Sequence, residues 1–305
     1  MKSSLLNLLS TPLPVLNSLG LKTRVGLSSE DPTTLRHEEE SYEAYLSVYS
    51  PEGPLLDRIH LGEVAANRRR FFDVSAAAAP LVPEGDHLTV VHRIPTRLQD
   101  QVSNLEEITE IPEHSEYFMY RSMLEYSYPQ GGNGSVIYET PPGLNANAGP
   151  DSTSNTFMFT CQIVLSEIVR THIVLIHYSV NPAYTKMADF NFGFFSQSGE
   201  TVASDHVAVG PFSVAKLDVS QIIATDIIQR DRDPMDGQSS YTFVGSSEDA
   251  VVIPLVLNTA PEIGAVALEH THPPQAYVFP YDASLKRKVK TDAQRAWTSI
   301  FTSKR

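Results

Sequence analysis

The sequence predicts an all-β protein, a tandem duplication of an antiparallel β-sandwich with a short amphipathic helix at each terminus. Most patterned segments are short, rich in Val, Ile, Phe and Tyr, and bounded by Gly, Pro, Asn or Ser, which is typical of strands. The sequence shows no strand–helix–strand alternation, which disfavours a doubly wound α/β fold. Similar sequence blocks also recur in the same order in the two halves, which indicates an internal repeat.

Composition narrows the class of protein. The chain has 305 residues, of which 41% are hydrophobic, so it can build packed cores and has a length typical of about two domains. The sequence has no apolar run near the roughly 18 residues that a membrane-spanning helix needs. A single cysteine, Cys161, excludes an intramolecular disulfide framework and fits a reducing compartment. We therefore expect a cytoplasmic protein.

Charge is unevenly distributed along the chain. The net charge of −13 argues against nucleic acid as a partner, because phosphate binding needs a basic surface. Residues 282–305 contain seven basic and two acidic side chains, a net charge of +5, which leaves −18 for residues 1–281. The sequence thus predicts an acidic body with a basic tail.

Two blocks of sequence carry the predicted repeat. The strand-like segments 45–53 and 191–199 each enter a turn, and each is followed by the same tripeptide, at 73–75 and 218–220. Further on, Leu124–Gln130 resembles Leu268–Gln275, and a β-rich segment follows each. The Asp-Val-Ser tripeptides favour a turn in which the carboxylate accepts backbone hydrogen bonds.

These matches predict five regions of the chain. We expect an N-terminal leucine-rich segment over 1–20, a first sandwich over 21–140, a Pro/Gly/Asn linker and leading strand over 141–167, a second sandwich over 168–283 and a basic C-terminal helix over 284–305. The leucine-rich segment is interpreted as a short helix that lies on the body or on a partner.

The C-terminal helix is predicted by one apolar stripe. Leu285, Val289, Ala293, Trp297 and Phe301 follow each other at intervals of four residues, with basic residues between them. In the first interpretation this stripe packs on the acidic body. In the second, residues 284–305 form a helix that makes peripheral contact with a membrane or binds a partner.

A candidate metal site lies near the end of the second repeat. His270 and His272 flank Thr271 in a strand-like segment, and side chains two residues apart in a strand share one face. Two imidazoles on one face could bind a divalent transition metal. Glu269, His172 and His177 are the candidate third ligands.

The nine residues 264–272 resemble the opening of the cupin metal motif, in which Gly precedes His-x-His. This chain departs from that motif, because Ala276 and Tyr277 stand where it requires Glu and no His follows His272. The matched positions of the first repeat hold Tyr126 and Tyr128, which favours two semi-polar rings on one strand face over a metal site.

The sequence gives little support for nucleophilic catalysis. It contains no Gly-x-Ser-x-Gly turn, and Cys161 lies within an apolar strand segment where a thiol is inert. We therefore expect a soluble, non-enzymatic binding or assembly protein whose ligand is a protein or a small molecule. The alternative is a metal-dependent enzyme or metal-binding protein that uses His270 and His272.

Overall fold

The computed structural model describes residues 10–28, 41–66, 68–101, 122–138, 144–145, 155–248, 250–270 and 283–302. Within these ranges the side chains of Cys161, His270 and Trp297 are among those that are not described. The described chain consists mainly of strands arranged in four antiparallel sheets, with few helices. The prediction of an all-β fold is confirmed.

The described part of the first half of the chain contains eight strands. They are β1 (Ser10–Val15), β2 (Lys22–Ser28), β3 (Tyr42–Tyr49), β4 (Leu55–Val64), β5 (Arg69–Asp73), β6 (His87–Pro95), β7 (Ser122–Ser127) and β8 (Asn133–Tyr138).

Eight further strands lie in the described residues of the second half. They are β9 (Thr156–Leu165), β10 (Arg170–His177), β11 (Ala188–Phe195), β12 (Thr201–Val209), β13 (Ser213–Asp218), β14 (Ser239–Ser247), β15 (Ile253–Ala260) and β16 (Ala265–His270).

The helices are short except at the C-terminus. They are α1 (Val74–Ala78), α2 (Val219–Ile222), α3 (Thr225–Arg230) and α4 (Ala283–Thr302). None of the described helices is both long and apolar enough to cross a bilayer.

The sixteen strands form four sheets of four, which we number by their position in the stack. Sheet 1 has the order β5-β2-β7-β8 and sheet 2 the order β1-β6-β3-β4. Sheet 3 has the order β13-β10-β15-β16 and sheet 4 the order β12-β11-β14-β9. Raising each strand number by eight converts sheet 1 into sheet 3 and sheet 2 into sheet 4, so the two halves share one strand order.

The sheets stack as two sandwiches in series. Sheets 1 and 2 enclose the first core, and sheets 3 and 4 enclose a second core that contains Phe190, Phe194 and Phe243. Alternate residues of β10 point in opposite directions, so Ile173 joins the second core while Val174 joins the first. Sheet 3 therefore packs on sheet 2, and the first core extends across both halves of the chain.

The N-terminal prediction is wrong for the described residues. Ser10–Val15, expected within a separate helical segment, is the edge strand β1 of sheet 2, and its six residues are buried. Pro12 and Pro14 lack an amide hydrogen, which an edge strand tolerates and a helix interior does not. Residues 1–9 lie outside the described ranges.

One of the two sequence matches joins strands that are not equivalent. Leu124 lies in β7, the third strand of sheet 1, whereas Leu268 lies in β16, the fourth strand of sheet 3. Under the shared strand order β7 corresponds to β15. The local similarity of these blocks is therefore not structural equivalence, and the comparison of Tyr126 and Tyr128 with His270 and His272 does not hold.

The other match joins equivalent elements. Both tripeptides lie at the junction between the fifth strand of a half and a short helix. Asp73 accepts a hydrogen bond from the Ala76 amide, and Asp218 accepts one from the Ser220 amide. Each aspartate thus accepts a backbone hydrogen bond, as the recurrence of the tripeptide predicted, and it does so as the N-cap of a short helix that was not predicted.

Candidate functional site

The junction between sheets 2 and 3, here called the inter-sandwich junction, contains aromatic and polar contacts between the two halves. The Ser10 and Tyr178 hydroxyls lie 3.0 Å apart across it. The ring of Tyr49 stacks on that of Phe212 with the centroids 5.3 Å apart. Because Tyr178 is fully enclosed, its pKa is raised well above 10.0 by burial, and its hydroxyl stays protonated. The junction is therefore a packed interior in which the Tyr178 hydroxyl of the second half has a hydroxyl partner, Ser10, from the first.

A row of polar groups crosses one end of this junction. Thr259 Oγ1 lies 3.2 Å from Nε2 of His172, and Nδ1 of His172 lies 3.9 Å from Oδ2 of Asp218. The three residues come from β15, β10 and β13, where His172 and Asp218 are direct register partners. Tyr128, from the first half, lies beside the Thr259 side chain. The row thus contains groups from both sandwiches.

The electrostatics of this row keep its imidazole neutral. Burial lowers the pKa of His172 below 6.5, an effect opposed by the Asp218 carboxylate and reinforced by the cations Lys216 and Arg170. Burial likewise raises the pKa of Tyr128 above 10.0. At neutral pH both side chains are therefore uncharged, as their enclosed positions require.

The order hydroxyl, imidazole, carboxylate is that of a nucleophile with its base and orienting acid, but the geometry differs. Such a relay needs both links at hydrogen-bond distance, about 2.6–3.2 Å. The gap between His172 and Asp218 is too long, and Oδ1 of Asp218 accepts hydrogen bonds from Ser220. Thr259 is 1% exposed and His172 2% exposed, so no substrate carbonyl can reach the hydroxyl. The Thr259–His172 contact links β15 with β10, whereas Nδ1 of His172 has no hydrogen-bond partner among the described residues.

A charged contact closes the same end of the junction at the surface. Lys216, on β13, lies 3.5 Å from the Asp86 carboxylate and donates to the Ser18 hydroxyl. Ser18 in turn donates to Asp86 through its amide, at 2.9 Å, and through its hydroxyl, at 2.7 Å. A lysine of the second sandwich is thereby held by two residues of the first.

The outer face of sheet 1, at one end of the stack, is charged. Arg24 pairs with Glu125 at 2.9 Å and lies over the ring of Phe71 at 4.8 Å from the centroid. Lys22 pairs with Asp73 at 2.7 Å. The cations of these pairs are partly exposed, whereas the Glu125 side chain is 7% exposed and also accepts a hydrogen bond from Asn133.

The outer face of sheet 4, at the other end of the stack, carries an apolar patch that lies beneath α4. Phe157, Phe195 and Val244 form a buried cluster on it, against which Phe159 and Ala293 of α4 pack. We call these four sheet residues the sheet 4 patch. Val289 is half-buried, and the basic side chains Arg287, Lys288 and Arg295 are exposed. This arrangement accords with a C-terminal helix that packs on the acidic body.

The predicted metal ligands are only partly within the described structure. The backbone of His270 ends β16 opposite Leu255, and His272 lies outside the described residues. Glu269 pairs with Val256, on the opposite strand face from the His270 position. Among side chains with described positions, no three His, Cys, Asp or Glu residues cluster closely enough to hold a metal ion.

The two other candidate ligands have partners of their own. His177 donates from Nδ1 to the Val209 carbonyl at 3.0 Å, and its Nε2 lies 3.4 Å from the Tyr184 hydroxyl. It lies on the second-core face of β10, whereas the register of His270 with Leu255 places that position on the first-core face. His172 belongs to the polar row. Both histidines lie on β10, which is separated from the strand of His270, β16, by β15.

Sequence reasoning missed Thr259, Tyr128 and Lys216 as members of this junction. Each is an ordinary strand or turn residue, and its partners lie in the other half or on a distant strand. The recurring tripeptide singled out Asp218, but it predicted only a turn in which the carboxylate accepts backbone hydrogen bonds. No local pattern indicates a contact between residues separated by more than a hundred positions.

No protein-family model matches the chain, and no curated protein does either. Among solved structures, it is similar to a glycosyl hydrolase family 2 member from Bacteroides cellulosilyticus DSM 14838, with 9% identity and a TM-score of 0.19 over 86% of this chain and 27% of that one. A calcium-binding mutant of Bacteroides uniformis beta-glucuronidase 2 gives 9% identity and a TM-score of 0.21 over 86% and 25%. The chain spans about a quarter of the length of these proteins, and no activity follows from TM-scores this low.

Proposed function

We propose that this chain is a non-enzymatic binding or assembly protein built from two copies of one β-sandwich. The observation that carries the proposal is the inter-sandwich junction, where an apolar sheet face of one sandwich packs on a sheet face of the other. Val90 of sheet 2 and Val174 of sheet 3 are both fully buried in the shared core. A sandwich of this type can therefore bind protein through the face of a sheet.

The shared strand order supports the two-copy part of the proposal. Eight strands in two sheets recur in one order, and both copies place an N-capping aspartate after the fifth strand. Copies that derive from one unit inherit similar surfaces, so a face used for binding in one copy has a counterpart in the other.

The burial of the polar row supports the non-enzymatic part. Its hydroxyl, imidazole and carboxylate are the groups of the described chain that most resemble a catalytic relay. Their enclosure between two sandwiches makes them a structural link, because a catalytic group must touch its substrate.

Site-specific photocrosslinking in the cells that make this protein tests the proposal. A photoreactive residue is placed at Arg295 on α4, at Leu56 at the start of β4, and at the exposed Met235 as a loop control. We expect a discrete protein adduct from Arg295 or Leu56 and none from Met235. Adducts absent from all three positions, or equal at all three, contradict the proposal.

The metal alternative stays a prediction based on His270 and His272. Elemental analysis of the purified full chain tests it, with His270→Ala and His272→Ala as variants and His206→Ala, an exposed histidine, as control. Under the binding proposal the wild type carries no stoichiometric transition metal. About one tightly held ion per chain, lost in both variants and retained in the control, would establish the alternative.

A further inference from the structure

Among the described strands, β4 and β12 are equivalent edges of the two sandwiches. β4 is the edge of sheet 2 and β12 the corresponding edge of sheet 4, as the shared strand order requires. All but one residue of each strand is exposed or half-buried. An edge strand presents unpaired amide and carbonyl groups, which can template the addition of a strand from another chain. Each edge is therefore either a site of strand addition or closed by a local feature.

An aspartate on each edge strand binds an amide of the same strand. Oδ1 of Asp57 accepts a hydrogen bond from the Arg58 amide at 2.7 Å, and Oδ1 of Asp205 accepts one from the His206 amide at 2.8 Å. In an antiparallel ladder, an amide that points to the neighbouring strand has a carbonyl of that strand as its acceptor. The side-chain acceptors therefore indicate that these two amides point away from the ladder.

Both edge strands also carry a bulge at the same place. The register of β3 with β4 shifts just before Tyr49, the last residue of β3, and leaves Leu56 as an extra residue of β4. The register of β11 with β12 shifts just before Phe195, the last residue of β11, and leaves Val202 as the extra residue. A bulge bends and twists its strand, which makes an edge a poorer template for another strand.

Further groups occupy the two edges. Arg70 of β5 donates from Nη1 to the Glu63 carbonyl of β4 at 2.8 Å, so a guanidinium already binds this carbonyl. On β12 the Asp205 side chain is 68% exposed and lies 3.5 Å from Nδ1 of His206. An incoming strand would have to displace this carboxylate from the amide and remove its charge from water, which is unfavourable.

We propose that Asp57 and Asp205 prevent a further strand from adding to β4 and β12. Each carboxylate occupies the amide that an incoming carbonyl would need, and each places a negative charge on the edge. Assembly, which the proposed function assigns to sheet faces, is thereby kept away from the sheet edges. Contacts between chains then do not extend into a continuous sheet.

Paired substitutions in the full chain separate the hydrogen-bond acceptor from the charge. Asp57→Ala with Asp205→Ala removes both charges and both acceptors, whereas Asp57→Asn with Asp205→Asn removes the same charges and keeps an acceptor oxygen at each position. The control pair, Asp189→Ala with Glu248→Ala, removes two exposed carboxylates on β11 and directly after β14. Light scattering and thioflavin T fluorescence follow association over time at equal protein concentration.

We expect the alanine pair to associate about tenfold faster than the asparagine pair and the control pair, because a hydrogen-bond donor on each edge is released to an incoming strand. The urea midpoint of the alanine pair should equal that of the control pair. Equal midpoints separate strand addition by the folded chain from aggregation of a misfolded one.

Proline at the released amides reverses the expected effect. Arg58→Pro and His206→Pro remove the two N–H groups, and an edge strand tolerates proline where its amide points outward. Added to the alanine pair, these substitutions should return the association rate to that of the control pair, with the same far-ultraviolet circular dichroism.

Four results would overturn the inference. These are equal rates in the alanine and asparagine pairs, an equally fast control pair, association that the prolines do not reverse, or loss of the folded circular dichroism in the proline variants, which would place the two amides in the ladder. The crosslinking experiment reports side-chain contacts, so adducts at Leu56 bear on the binding proposal and not on the edges.

Discussion

Three enclosed histidines link the stability of this protein to pH. Burial lowers the pKa of His87, His172 and His177 below 6.5, although hydrogen bonds to backbone carbonyls oppose the shift at His87 and His177. The folded chain therefore holds these rings neutral over a pH range in which the unfolded chain protonates them. Each ring contributes about 1.4 kcal/mol for every unit by which its folded pKa lies below the unfolded value.

The free energy of unfolding should consequently fall as the pH drops below 6.5, because the unfolded state then binds more protons than the folded state. Above that value the contribution is complete and does not vary with pH. Urea denaturation from pH 5 to pH 8 measures the slope. His172→Gln should reduce it, while His206→Gln, at an exposed position, should leave it unchanged. A slope equal in all three proteins would contradict the assignment.

Gly245 is required by the aromatic packing of the second core. A Cβ at this position of β14 would lie 2.2 Å from Cζ of Phe190, whose ring packs near that of Phe243. Gly245→Ala should therefore lower the free energy of unfolding by about 1–3 kcal/mol, the range for overpacked cores. Gly132→Ala is the control, because no atom lies within 4 Å of its Cβ position. Equal stability of the two variants would refute the argument.

At the scale of elements, the same capped turn recurs in both halves. Burial raises the pKa of Asp73, but hydrogen bonds from Lys22, Ala76 and Ser75 lower it by more in total. The pKa of Asp73 therefore lies below its usual value of 3.8. The carboxylate therefore stays ionised and caps α1 in the physiological range. Its stabilising contribution is complete above pH 3.8 and is lost only as the pH falls further, through the folded pKa.

Removal of either cap should destabilise the protein to a similar extent. Asp73→Ala and Asp218→Ala each leave helix amides without their acceptor, and we expect a loss of about 1 kcal/mol in the free energy of unfolding. Chemical denaturation measures it, with the exposed Asp189→Ala on β11 as control. If the control loses as much stability as the variants, the effect is one of net charge and not of capping.

At the scale of the whole molecule, the two sandwiches share one core. The first core includes side chains of sheets 1, 2 and 3. The edge strands β8 and β16 also lie side by side, since a Cβ on Gly134 of β8 would fall 2.8 Å from the Val266 carbonyl oxygen of β16. The second sandwich therefore supplies part of the interior of the first, and we expect neither to be stable without the other.

Thermal unfolding should accordingly be one cooperative transition in which both halves melt together. Ile176→Ala, which creates a cavity at the junction, and Ile173→Ala, which creates one inside the second sandwich, should each cost about 2–5 kcal/mol. Calorimetry checks the shape of the transition. Two separate transitions in the wild type, or an Ile176→Ala variant as stable as the wild type, would show that the halves are independent.

Local patterns accounted for the strands and for the helix caps but not for the way they pair. Strand periodicity and turn residues indicate where β3 and β11 lie, because burial of one face imposes the alternation. The helix prediction for Ser10–Val15 is wrong. Its prolines disfavour a helix, but nothing in the local sequence indicates that the segment is an edge strand. The match of Leu124 with Leu268 failed because similar short strands look alike wherever they lie in a sheet.

The amino-acid sequence by itself determined the all-β class, the acidic body and the amphipathic basic helix, since each depends on composition or on periodicity within one segment. Only the tertiary structure decided that sheet 3 covers sheet 2, that Thr259, His172 and Asp218 form an enclosed row, and that α4 covers the sheet 4 patch. Contacts between residues far apart in the chain depend on which faces meet, and that choice is made by the shape and burial of whole sheets.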